Sequence, residues 1–115
     1  MIEKIVLDYL AETLDVPVYM QEPVNSRPYD ASSFVVIEKT GSGKENRVSN
    51  ATIAVQSYAP TLYEAASLNE QVKEAMENII TLDSVTDSKL NSDYAFIKVS
   101  TKQPRYQAVF EIVHY

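Results

Sequence analysis

The sequence predicts an α+β fold. It is expected to be a two-layer domain, with one mostly antiparallel sheet of about five strands and two helices packed on one face, in the order α-β-β-β-α-β-β. Three observations lead there. Two segments, Ile2 to Leu14 and Leu62 to Ile80, repeat apolar residues at helical spacing and are polar on the other side. Runs of β-branched and aromatic residues at 34–40, 48–58, 94–101 and 105–115 are separated by turn formers. The helices are too narrow on their apolar side to cover each other alone, so each needs a sheet.

In the first helix Ile2, Ile5, Val6, Tyr9, Leu10 and Thr13 keep one face, while Glu3, Lys4, Asp8 and Glu12 point mostly outward. Pro17 ends it. Val16, Val18 and Met20 then alternate with Pro17, Tyr19 and Gln21, a short strand whose proline belongs at a sheet edge or at the strand's start. Residues 22 to 33 hold two prolines and several turn formers without any period, and read as a loop. Phe34 to Thr40 is apolar on both faces at its start, which places it inside the sheet.

Residues 41 to 46 (Gly-Ser-Gly-Lys-Glu-Asn) have the chemistry of a hairpin tip, and Val48 to Tyr58 returns with Ile53 and Val55 on one side and Thr52, Ala54 and Gln56 on the other. Thr61 should cap the second helix. Its hydroxyl can accept from the Glu64 amide while Glu64 reaches back, a capping box, and Pro60 prevents an earlier start. Leu62, Ala65, Ala66, Val72, Met76, Ile79 and Ile80 form the apolar side of this helix, with Asn69 among them. Buried there, Asn69 needs a hydrogen-bond partner inside the domain; at the rim it meets solvent. Residues 81 to 93 read mostly as loop, anchored by Leu82, Val85 and Leu90. Tyr94 to Thr101 and Arg105 to Tyr115 then form a second hairpin around a turn at 102–104.

The 115 residues fit one domain, spanning 1–115. Cysteine is absent, which excludes disulfides and thiolate metal sites. No apolar run approaches the roughly 18 residues of a membrane span, and charges interrupt the first residues, so a soluble protein without a signal peptide is expected. Sixteen acidic against ten basic residues give a net charge of −6 at pH 7. The basic residues are scattered, the opposite of a nucleic-acid-reading stripe. Tyrosine occurs eight times and tryptophan never. Interface chemistry and strand propensity each account for that count.

No residue set has the spacing of a catalytic or metal site. The Gly41-Ser42-Gly43-Lys44 string superficially matches a phosphate loop. Such a loop must open onto a helix with Ser or Thr after the lysine, whereas Glu45 and a strand follow here, so a hairpin tip is the reading. His114 lies in an alternating run and lacks any marked nucleophile or acid, although Ser57, Asp93 or Glu111 could be nominated. Asp83, Asp87 and Asp93 do not follow the ligand order of a calcium loop. Asn50-Ala51-Thr52 matches a glycosylation acceptor by chance within a strand. No catalysis, cofactor or metal is expected.

Several strings do resemble a known group. Phe34-Val35-Val36-Ile37-Glu38-Lys39-Thr40-Gly41, Ala54-Val55-Gln56-Ser57-Tyr58-Ala59, Glu64-Ala65-Ala66 with Val72 to Met76, and Arg105-Tyr106-Gln107-Ala108 are similar to the tail terminator, or tail completion and head-tail joining, proteins of long non-contractile-tailed bacteriophages and Gram-positive prophages. The resemblance spans nearly the whole chain and rests on structural strings. It implies a virion protein, made in the host cytoplasm, that closes as a homo-oligomeric ring, usually a hexamer, on the head-proximal end of the tail tube. Such a ring stops tube polymerisation, docks the head connector and lets DNA pass without specific binding. Partners would be the chain itself, the tube protein and the connector protein, with no membrane and no small-molecule substrate. A neighbouring head or connector-completion protein, or a small cytosolic interaction module, is the alternative. In a ring, strand edges and the second helix are expected to carry subunit contacts. Candidate interface-loop residues are Arg27, Tyr29, Gly41, Gly43, Lys44, Glu45 and Arg47, and candidate subunit contacts are Tyr58, Tyr63, Tyr106 and Tyr115.

Overall fold

Burying the apolar sides of both helices requires one sheet face wide enough for two, and the chain supplies it with five strands. In this computed structural model, which describes residues 1–20, 33–45, 48–97 and 104–115, the order is α1 (Ile2–Thr13), β1 (Val18–Tyr19), β2 (Phe34–Glu45), β3 (Val48–Tyr58), α2 (Leu62–Glu77), β4 (Val85–Ile97) and β5 (Pro104–His114). A short 3₁₀ turn, Asn78–Thr81, follows α2. The spatial order is β1-β2-β3-β5-β4. Among the described residues only β1 and β2 run parallel, and every other pair is antiparallel. The expected α+β fold is therefore present, with the sheet's long strands setting a molecule of 46 × 24 × 24 Å.

One apolar core joins both helices to one face of the sheet. Val6 and Leu10 of α1 and Leu68, Val72, Ala75 and Met76 of α2 meet Val35, Ile37, Ile53, Val55, Ala108, Phe110 and Ile112. Each of the Val, Leu, Ile, Met and Phe side chains here contributes roughly 1.5–3 kcal/mol when fully buried, so this layer dominates the stability. The Tyr9 hydroxyl donates to the Ala75 carbonyl at 2.7 Å and ties α1 to α2. Burial there pushes the Tyr9 hydroxyl pKa up.

The expected boundaries hold where the signal is local. Thr61 caps α2, its hydroxyl accepting from the Glu64 amide at 3.1 Å. The reciprocal half of the box differs, because the Glu64 carboxylate accepts from the Thr61 hydroxyl at 3.2 Å. α2 stops at Glu77 and tightens into the 3₁₀ turn. That change of pitch keeps Ile79 inside and leaves Ile80 52% exposed, although helical spacing placed both on the apolar side. Leu62, expected on that side too, is 44% exposed. β1 is shorter than its alternation suggests: Val18 and Tyr19 pair with Val35 and Val36, and Pro17 sits just before it, accepting from the Val35 amide at 2.9 Å.

Two expected loops are corrected. Residues 41–45 continue β2, paired as far as Glu45↔Val48, and are not part of a tip; residues 46–47 lie outside the described residues. A bulge at Thr40 lets the ladder run on. Gly43 fits because a Cβ there would come within 3.1 Å of the Asn50 Oδ1. Residues 85–93 are likewise strand, the first two-thirds of β4. Bulges at Thr86 and Asn91 break the alternation, so Val85, Ser88, Leu90 and Asp93 share the helix-facing side at spacings of three, two and three. No period-2 reading could detect that. The loop read at 22–33 lies outside the described residues except Ser33, as do the turn residues 102–103 and the strand end 98–101.

The cap gives a direct test. Thr61→Ala should destabilise the protein by about 1 kcal/mol, read as a shift of the urea midpoint at unchanged slope; an unaltered midpoint would mean the cap contributes nothing.

Candidate interaction surfaces

The sheet face opposite the helices is built from residues of all five strands. Near its β1 side Phe34 and Tyr58, opposite one another across β2 and β3, stack with centroids 4.6 Å apart, and Tyr19 meets Phe34 edge-on at 6.1 Å. Arg105 lies 5.4 Å from the Tyr58 ring centroid and donates to its hydroxyl. The Tyr58 hydroxyl donates to Gln56 Oε1 at 3.2 Å, Gln56 Nε2 to Gln107 Oε1 at 3.0 Å, and Gln107 Nε2 to the Tyr94 hydroxyl at 2.6 Å. A hydrogen-bonded line thus crosses from β3 through β5 to β4. It satisfies polar groups of a face that neither α1 nor α2 covers.

Beside β4, Asn69 of α2 is 1% exposed and donates through Nδ2 to Asp93 Oδ2 at 3.1 Å. Of the two options for Asn69, the buried one is realised, with a carboxylate as acceptor and its own Oδ1 left without a partner. Asp93 also accepts from Lys73 Nζ at 3.1 Å, and Lys73 pairs with Glu70 at 2.9 Å. These hydrogen bonds, Glu70's first and then Asp93's, raise the Lys73 pKa. Lys73 is thereby matched, whereas Glu74 and Glu77 are exposed and make no ion pair among the described residues. They border a cleft of about 550 Å³ between α2 and β4, floored by Leu90 and Phe110.

At the other side of the sheet, Lys39, Ser42 and Lys44 of β2 border a second concavity of about 470 Å³ beside Met1 and Glu3. Lys39 pairs with Glu3 at 3.4 Å. The Glu3 pKa is lowered, first by a hydrogen bond from its own backbone amide at the start of α1 and then by Lys39, against an opposing effect of partial burial.

The residues singled out from sequence are dispersed over these surfaces. Gly41, Gly43, Lys44 and Glu45 lie in the β2 strand rather than in a loop; Arg27, Tyr29 and Arg47 lie outside the described residues. Tyr63 and Tyr115 are 84% and 74% exposed, and Tyr106 is half-buried. Tyr58 is different. At 1% exposure its ring is enclosed within the protomer, so the role the structure gives it is internal packing, not contact with a neighbour. His114 places Nδ1 3.0 Å from the Tyr115 carbonyl oxygen. Ser57, Asp93 and Glu111, nominated beside it, do not gather around its ring: Ser57 is fully buried and Asp93 is bonded to α2. Among the described residues, no group of three or more His, Asp or Glu is placed to hold a metal ion. No helix among them is long and apolar enough to cross a membrane. Sequence reading missed the α2–β4 cleft; the run Glu70, Glu74, Glu77 was a visible signal, but not its neighbour.

No protein-family model matches the chain, and no curated protein matches it.

Three substitutions probe these groups. Asp93→Ala removes the acceptor of a buried amide and should destabilise the fold by about 1–3 kcal/mol in equilibrium denaturation, more than Glu70→Ala on the exposed side of the same pair. Glu3 has its pKa below the unfolded value, so its stabilising effect is present above the ordinary carboxylate range and disappears as pH falls through the lowered value. Wild type should therefore lose more stability than Glu3→Gln between about pH 5 and pH 3, and parallel pH profiles would contradict this.

Proposed function

We propose that the chain is a non-catalytic structural subunit that closes as a ring on the head-proximal end of a phage tail tube, ending tube growth and presenting the docking surface for the head. The observation that carries this reading is a sheet open on both sides. Among the described residues β1 covers β2 only at Val35 and Val36, and β4 has β5 as its only neighbour. A ring needs a heterologous contact, in which one side of a subunit meets a different side of the next, and two dissimilar free edges satisfy that requirement.

The strings behind the resemblance support the same reading by their positions. They fall in β2, β3, α2 and β5, the three central strands and the helix over them, so the similarity concerns the framework of the domain and not a peripheral loop. Exposed Tyr63, Tyr94 and Tyr115 add amphipathic contact surface. The acidic balance suits a lumen that passes DNA without retaining it, since phosphate adhesion requires clustered cations.

The test is to incubate the purified chain with polymerising tail tubes and measure tube length and end structure by electron microscopy. Rings at one tube end, with growth arrested, are expected. Rings that bind isolated connectors but leave tube growth unchanged would transfer the role to connector completion, and failure to engage either would remove the virion reading.

A further inference from the structure

We draw no further inference here: the strongest candidate, the cleft of about 550 Å³ between α2 and β4 floored by Leu90 and Phe110, carries none, because Lys73 and Lys89 line it together with Glu70, Glu74 and Glu77 and nothing in the structure shows what covers it.

Discussion

The packing of two short helices on one sheet face is the constraint from which the rest of the molecule follows. α1 offers Ile2, Val6 and Leu10, and α2 offers Leu68, Val72, Ala75 and Met76. Helices lie about 8–10 Å apart, so two of them span roughly the width of the central strands and no more. The core accordingly centres on β2, β3 and β5, whose Ile37, Ile53, Val55, Phe110 and Ile112 are all nearly inaccessible to solvent. β4 extends past this cover. Its Leu90 is 40% exposed, whereas Val85, near its start, is buried.

The face turned away from the helices is tied together across its own strands. Polar side chains there are satisfied by one another across the strands, through Gln56, Gln107 and Tyr94, while Phe34, Val36 and Tyr58 form a small apolar cluster of their own. Cross-strand pairs of this kind each contribute roughly 0.2–1 kcal/mol. They also fix register, since a slip by one residue would separate Gln56 from Gln107 and expose the Phe34–Tyr58 stack.

Charge is distributed by the same geometry. α2 cannot turn its carboxylates toward the core, so Glu70, Glu74 and Glu77 look toward solvent beside β4; Lys39 and Lys44, at the opposite side, lie where the helical layer ends at the start of α1. Bulges at Thr40, Thr86 and Asn91 guard against indiscriminate strand addition by leaving only short regular stretches at each edge. An edge that is short, bulged and charged discriminates among partners better than a long flat one.

Local chemistry was readable without coordinates. The Thr61 cap, both amphipathic helices, the β2–β3 hairpin and the overall layer class follow from spacing and turn residues, because capping and periodicity depend on neighbours a few positions away. The first part of β4 was not readable, since its two bulges replace alternation with an irregular spacing that only pairing with β5 reveals. Nor was the enclosure of Tyr58, which is set by Phe34 and Arg105 on other strands, or the acceptor of Asn69, twenty-four residues away on β4. The sequence by itself determined which segments are helix, which faces are apolar, and that its charges include a carboxylate row on α2. Only the tertiary structure decided that this row lies beside β4 at one side of the described sheet while the lysines of β2 lie at the other, because strand order is a long-range property, set by which strands pair and not by residues a few positions apart.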